Sequence, residues 1–247
     1  MTNKTFGLVG FPLGHSFSKK FFNEKFATEH IDAEYKNFEI DDISLITDIF
    51  KDTNVTGLNV TIPYKERVLQ YIDKIDSEAN AIGSVNVIKI IRNGDRVTTK
   101  GFNTDIIGFR RSIEPHLRPS HKSALVLGTG GASKAVAHCL RSLDISVDLV
   151  SRTSGNGRLT YPDLSEQVIK SHLVIVNTTP LGMYPKVDEC PDIPYDAITP
   201  GHICFDLTYN PAETLFLKKS KRQGADTING MEMLIGQALA AWDIWND

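Results

Sequence analysis

Residues 124–140 read ALVLGTGGASKAVAHCL. Ala124–Leu127 is short, apolar and strand-like, and residues 132–143 carry apolar side chains at the spacing of one helix face. Between the two lie Gly128, Thr129, Gly130 and Gly131. Glycines let a backbone approach a pyrophosphate closely, and the free N–H groups of a helix start attract its charge. A strand, a glycine-rich turn, a helix and a further strand at 146–150 read as the opening of a dinucleotide-binding βαβ unit rather than as a plain turn. Set against G-x-G-x-x-G, the third glycine is Ser133, so the loop is a variant of that pattern.

The strand after the loop narrows the choice of dinucleotide. Val147–Val150 is expected to end beside the adenosine ribose, where an NAD-binding chain usually places Asp or Glu for the 2′-hydroxyl. This chain has Ser151-Arg152-Thr153. A guanidinium suits a 2′-phosphate, and no acid stands next to it, so NADP is favoured over NAD. The competing reading of Arg152 is an exposed loop charge.

Working outward, strand-like and helix-like stretches alternate along the whole chain. Before the glycine loop come a strand at 6–10, a helix at 19–30, a strand at 33–40, helical residues 43–51, a strand at 55–62 and a helix expected at 65–75. Residues 85–92 and 96–100 flank Asn93-Gly94, a two-residue hairpin signal. Residues 106–113 read as a helix, and EPHLRPSHK at 114–122 as a linker. After the loop come strands at 172–177 and 202–207, a helix at 212–222 and a last helix at 231–245. Such alternation predicts an α/β fold with parallel sheets and helices on both faces, in two domains.

Bulk properties remove several function classes. The 247 residues are 41% hydrophobic and 23% charged, with a net charge of −3. No basic field is available for nucleic acid. Three cysteines, Cys139, Cys190 and Cys204, form no CxxC pair, and the seven histidines show no paired metal spacing, so no metal site is expected. No apolar run approaches the ~18 residues of a membrane span. A soluble cytoplasmic protein without nucleic-acid or membrane partners is expected, as a monomer or a homodimer.

The first domain carries polar residues where apolar ones would serve. In NVTIPYKE (59–66), Asn59 and Thr61 alternate on a strand and face the same way. Pro63 suits a helix start, which would set Lys65 in a first helical turn, the end that disfavours a cation. GHSFSKKFF offers Ser16 and Ser18 before a helix that needs only one cap. Asn86 is an amide on an apolar strand, and Asp105 opens a helix, where a carboxylate is favoured on its own account. Together these groups suit a small polyhydroxylated ligand.

The combination GHSFSKKFF, NVTIPYKE, GSVNVI, GFNTDIIGF, LGTGGASKA, SRT, NTTPLGM, DLTYNP and NGMEMLIGQA, in that order, resembles the shikimate dehydrogenase family almost end to end. The resemblance implies an N-terminal α/β substrate domain (1–105 with 230–247), a Rossmann-like NADP-binding domain (106–229), a C-terminal helix returning to the first domain and an active site in the cleft between them. It implies that Ser16, Ser18 and Tyr209 bind the substrate carboxylate and that Asn59, Thr61, Asn86 and Gln237 bind ring hydroxyls. Lys65 and Asp105 match the family's catalytic pair. Gly128, Gly130, Gly131, Ala132 and Ser133 would hold the pyrophosphate, and Ser151, Arg152 and Thr153 the 2′-phosphate. Asn177, Thr178, Gly230 and Met233 would lie near the nicotinamide end.

The chain departs from the family in three places. Ser151 stands where asparagine is usual, Ser77 where an acid is frequent, and the segments 154–171 and beyond Gln237 are short, so a helix is expected to be missing in each. The implied reaction is reversible reduction of 3-dehydroshikimate to shikimate, with Lys65 as the proton donor. An ordinary lysine titrates near ~10.4 and is a poor base at neutral pH. A helix start would lower that value and a nearby Asp105 would raise it, and the sequence leaves the balance open. Related alternatives are a quinate or aminoshikimate dehydrogenase using NAD. A different class of alternative is a non-catalytic sensor of shikimate and NADP.

Overall fold

The structure, a computed structural model, describes residues 4–14, 16–155 and 157–247. It divides into two compact units, residues up to Thr104 with Ala238–Asp247, and Asp105–Gln237.

The first unit runs β1 (Lys4–Gly10), α1 (Phe17–Thr28), β2 (Ala33–Glu39), α2 (Ile46–Lys51), β3 (Val55–Val60), β4 (Lys74–Ile75), α3 (Ser77–Ile82), β5 (Val87–Asn93) and β6 (Arg96–Phe102). The strands lie in the order β2-β1-β3-β5-β6-β4. β2, β1 and β3 are parallel, whereas β5 runs antiparallel to β3 and β6. The sheet is therefore mixed, not parallel throughout, because the β5–β6 hairpin reverses the chain. Its two turn residues are Gly94-Asp95, one place beyond the expected pair, with Gly94 at a φ of 60°.

Alternation along β1 sends its side chains to two cores. Phe6 and Leu8 pack with Phe22 and Phe26 of α1 and with Trp245 near the chain end. Val9 joins Ile46, Phe50, Leu58, Tyr64 and Val68 on the other side. Each large aliphatic or aromatic side chain so buried contributes about 1.5–3 kcal/mol. The Trp245 indole N–H donates to the Ile88 carbonyl at 3.1 Å, and its ring fills the space where a Cβ at Gly57 would stand.

The helix expected over 65–75 does not form. Lys65 and Glu66 lie in a turn, Arg67–Tyr71 is a 3₁₀ helix, and Lys74–Ile75 is the edge strand β4 beside β6. The apolar spacing that suggested a helix instead buries Val68 and partly buries Leu69, Ile72 and Ile75 against the same core. The Asp73 carboxylate accepts from Thr99 N at 2.7 Å and Thr99 Oγ1 at 2.9 Å, which holds the following residues alongside β6. Tertiary contacts thus outweigh a weak local preference.

The second unit runs α4 (Asp105–Ile113), β7 (Ser123–Leu127), α5 (Gly131–Ser142), β8 (Ser146–Ser151), β9 (Leu159–Thr160), α6 (Glu166–Ser171), β10 (Val174–Asn177), β11 (Ile203–Asp206), α7 (Leu215–Arg222), β12 (Asp226–Ile228) and α8 (Met231–Asn246). The strand order is β12-β11-β10-β7-β8-β9, and every pairing is parallel. All residues of β10 and β11 are buried, as are Ala124–Leu127 of β7, which explains their continuous apolar runs. The order reverses between β7 and β10, and such a switch point opens a crevice at the C-terminal strand ends. The segment 154–171, read as having lost a helix, still holds the six-residue α6 and the short β9.

The unit boundary falls inside α8. Residues 231–237, which the resemblance assigned to the first domain, cluster with the second. A Cβ at Gly108 of α4 would lie 2.3 Å from Met233 O, so α4 and the start of α8 touch backbone to backbone.

Candidate functional site

In the first unit, polar side chains gather at the C-terminal ends of β1 and β3. β5 runs antiparallel to β3, so the residue before β5 arrives at the same end. Val60 N donates to Asn86 O at 2.8 Å, and Thr61 N to Val9 O at 2.9 Å. These bonds set Asn59, Thr61 and Asn86 side by side. Lys65, half-buried in the turn after β3, accepts at its carbonyl from Val85 N at 2.8 Å. Lys65 precedes the 3₁₀ helix Arg67–Tyr71 and does not sit in the first turn of an α-helix, the position expected from the sequence.

Ser16 is the N-cap of α1, accepting from Lys19 N at 3.2 Å, whereas Ser18 lies within the first helical turn. The spare hydroxyl expected of the pair is therefore that of Ser18, which lies near the phenol of Tyr35. Tyr35 is wholly buried, stacked on Phe22 with ring centroids 4.8 Å apart, and donates to Asn59 Oδ1 at 2.7 Å. Burial raises the Tyr35 phenol well above its ordinary value, and the nearby Ser18 hydroxyl opposes this. Asn86 Oδ1 accepts from Thr104 N at 2.7 Å. Tyr35 and Thr104 do not stand out in the sequence, where each is one residue of an ordinary strand or strand end. Their role comes from bonds to Asn59 and Asn86 across the sheet.

In the second unit, β7 runs into Gly128, whose φ is 117° and whose Cβ would stand 2.5 Å from Thr178 Oγ1. Glycine is required there on both counts. Open space surrounds the Cβ position at Gly130, and α5 begins with no side-chain cap and no acid in its first turn. This bare helix start is a cradle that a phosphate would fit. Gly131 and Ala132 open the helix, and Ser133 closes on its own turn, donating to Gly130 O at 2.6 Å. The end of β8 presents Arg152 and Thr153 to solvent, while Ser151 is buried and its Oγ accepts from Thr153 N at 3.3 Å. Burial raises the phenol of Tyr161, and the charge of Arg152 acts against that rise.

At the end of β10, Asn177 is wholly buried and its amide is used internally, donating to Asp206 Oδ1 at 3.1 Å and accepting from Thr179 Oγ1 at 2.6 Å. Thr178 and Tyr209 are half-buried, and burial raises the Tyr209 phenol. Gly230 N donates to Thr208 O at 3.1 Å, and a Cβ at Gly230 would clash with Leu207 O at 2.0 Å. Met233 is buried and Gln237 half-buried on α8, and Asp105, the first residue of α4, is 3% exposed. Among the described residues there is no group of His, Cys, Asp and Glu that could hold a metal ion, and no helix long and apolar enough to cross a membrane.

The model of the shikimate dehydrogenase substrate-binding domain matches residues 8–88. A shikimate dehydrogenase (NADP(+)) of Methanosphaera stadtmanae is 38% identical over 266 aligned positions, covering 99% of this chain and 93% of the relative. The chain belongs to the shikimate dehydrogenase family. The crystal structure of the Aquifex aeolicus shikimate dehydrogenase superposes with a TM-score of 0.87 at 36% identity, covering 99% of this chain and 92% of that one. A quinate dehydrogenase of Corynebacterium glutamicum, solved with NAD, superposes at 0.86 with 26% identity, covering 98% and 93%. The family's two α/β domains and C-terminal helix are those found in this chain, and membership supports oxidoreductase activity of the shikimate and quinate dehydrogenase type.

Proposed function

We propose that the chain is an NADP-dependent shikimate dehydrogenase that interconverts 3-dehydroshikimate and shikimate. The carrying observation is the polar set of Ser18, Asn59, Thr61, Lys65 and Asn86 at the ends of β1 and β3, in a unit whose cores are otherwise apolar. The name of the Methanosphaera relative points to the same substrate and cofactor.

In this reading Ser16, Ser18 and Tyr209 bind the substrate carboxylate. Ser16 spends a lone pair on its cap and keeps its O–H to donate. Asn59, Thr61, Asn86 and Gln237 bind the ring hydroxyls. The Tyr35 phenol occupies Asn59 Oδ1 and one amide N–H donates to Asn86 O at 3.4 Å, so Asn59 offers the substrate its remaining N–H. The bare start of α5, from Gly128 through Gly130, Gly131, Ala132 and Ser133, holds the pyrophosphate, and Arg152 and Thr153 hold the 2′-phosphate with Ser151 supporting their turn. Thr178, Gly230 and Met233 line the nicotinamide end, and Asn177 acts from behind them through its bonds.

A bound NADPH would supply hydride to the substrate's carbonyl carbon, and a bound NADP would accept it in the reverse direction. As hydride arrives, the carbonyl oxygen becomes basic, and the Lys65 ammonium gives it a proton. In the oxidation, neutral Lys65 withdraws that proton from the hydroxyl. Asp105 orients the ammonium in this reading.

The likeness to a quinate dehydrogenase with NAD supports a second reading, oxidation of quinate. Arg152 weighs against it, because no acid stands at the end of β8 to bind a free 2′-hydroxyl. The test is absorbance at the NADPH band with shikimate and NADP as sole additions, beside quinate with NAD. Growth of the band only with shikimate and NADP is expected. Faster turnover of quinate with NAD would replace this reading, and binding of shikimate and NADP without turnover would make the chain a sensor.

A further inference from the structure

A buried carboxylate ties together two loops at the switch point of the second sheet. Asn177 and Asp206 are paired neighbours at the ends of β10 and β11, and both are wholly buried. Asp206 Oδ1 accepts from Asn177 Nδ2 at 3.1 Å and Thr208 N at 2.9 Å, and Oδ2 accepts from Thr214 Oγ1 at 2.6 Å. Asn177 Oδ1 passes the chain of bonds on, accepting from Thr179 N at 3.1 Å and Thr179 Oγ1 at 2.6 Å. Thr214 caps α7 by accepting from Leu217 N at 3.3 Å. One side chain thereby fixes the path of residues 178–181 and of residues 207–214. Through Thr208 O, which accepts from Gly230 N, it also reaches the start of α8.

Stability alone is a poor reason for this arrangement. Burying a carboxylate costs free energy even when it is hydrogen-bonded, and apolar residues of similar volume often serve as well or better. Burial raises the Asp206 carboxyl, with the bonds from Thr214, Thr208 and Asn177 opposing. What the network places is informative. The loops it fixes carry Thr178 and Tyr209 and abut Gly230, all assigned above to the nicotinamide end or the substrate carboxylate. The turn formed by residues 151–153 hangs instead on β8, on the far side of β7 from β10 and β11, and is held by its own bond from Thr153 N to Ser151 Oγ.

We propose that Asp206 is a positioning residue whose buried carboxylate sets the two loops around the nicotinamide half of the cofactor while leaving the adenosine 2′-phosphate half untouched. The proposal rests on the NADP-dependent reading. Its test compares two ligands by calorimetry, NADP and adenosine 2′,5′-bisphosphate, which carries the 2′-phosphate but no nicotinamide. Asp206→Asn keeps the volume and the acceptor facing Asn177 and Thr208, but removes the charge and turns an N–H₂ towards Thr214. The ratio of the Kd for NADP to that for the bisphosphate should rise at least fivefold in the variant, and kcat should fall about tenfold. A ratio within twofold of wild type overturns the proposal, including the case in which both ligands weaken together through general loosening. Thr179→Val, which removes only the outermost hydroxyl of the network, should move the same ratio two- to threefold and decides the matter if Asp206→Asn does not fold. An absence of shikimate turnover in the wild-type protein would refute the enzymatic reading, while the ligand ratio would still judge Asp206.

Discussion

Ser16 and Ser18 stand two residues apart, yet their hydroxyls have different duties. Ser16 caps α1, and removing such a cap costs about 0.5–2 kcal/mol of stability. Ser18 caps nothing and faces the Tyr35 phenol. Loss of a bond to a charged carboxylate costs about 1.5–3 kcal/mol, or roughly ten- to a hundredfold in affinity. Ser16→Ala should therefore lower Tm and raise KM for shikimate, whereas Ser18→Ala should raise KM with Tm nearly unchanged. Thermal melts and steady-state kinetics on both variants check this, and an unchanged KM in both would leave the serines purely structural. Lys65→Ala should lower kcat by about 10²–10⁴-fold with a much smaller effect on KM, the range of a general acid–base group. A kcat within threefold of wild type would show that Lys65 moves no proton. The types of these residues were legible in the sequence because polar groups on apolar strands stand out. The bonds made by Tyr35, Thr104 and Asp206 were not, because their partners Asn59, Asn86 and Asn177 lie far from them in the chain.

At the scale of elements, small residues let α4 and the start of α8 approach closely. A Cβ at Gly108 would meet Met233 O at 2.3 Å and Gln237 N at 3.0 Å, whereas one at Gly236 would stand 3.1 Å from Gly108 Cα. Backbone atoms cannot rotate aside as a side chain would, so α4 or α8 would have to shift. Overpacking of this kind costs about 1–3 kcal/mol. Gly108→Ala is expected to lower Tm by roughly 2–4 °C per kcal/mol lost, as for other chains of this size. It should also impair turnover, because Asp105 and Gln237 ride on the two displaced helices. Gly236→Ala should be milder on both measures. Equal melting temperatures for the Gly108 variant and wild type would mean that the helices separate freely. The turn around Lys65 teaches the opposite lesson about elements. Residues 65–75 have helical spacing, but the bonds between Asp73 and Thr99 and the pairing of β4 with β6 lead the chain into an extended path.

For the whole molecule, cofactor choice becomes a stability measurement. A ligand that binds only the folded state stabilises it by about 2.7 kcal/mol at a hundred times its Kd. NADP should therefore raise Tm more than NAD at equal concentration if, as proposed, the 2′-phosphate forms charge-assisted bonds to Arg152. Arg152→Ala should bring the NADP shift down to that of NAD and raise KM for NADP about tenfold or more. Differential scanning fluorimetry at fixed salt, with kcat/KM for both cofactors, checks the pair of outcomes. A larger shift with NAD in the wild-type chain would overturn the assignment of NADP.

The sequence by itself determined the α/β class, the glycine-rich cradle, most elements and the residue types of the candidate site. Those features are written in local patterns: runs buried on both sides read as continuous apolar stretches, and glycines mark the places where a Cβ has no room. Tertiary structure decided the rest. It made the first sheet mixed, because strand direction depends on which neighbour the hairpin finds. It replaced the expected helix at Lys65 by a turn, a 3₁₀ helix and an edge strand, because core packing and two bonds from Thr99 outweigh a weak propensity. It divided the work of Ser16 and Ser18, turned the Asn59 amide towards Tyr35 and buried the Asn177 amide against Asp206. Apart from the Ser16 cap, which Lys19 completes three residues on, these outcomes depend on partners distant in the chain, and local sequence carries no record of which distant group will arrive.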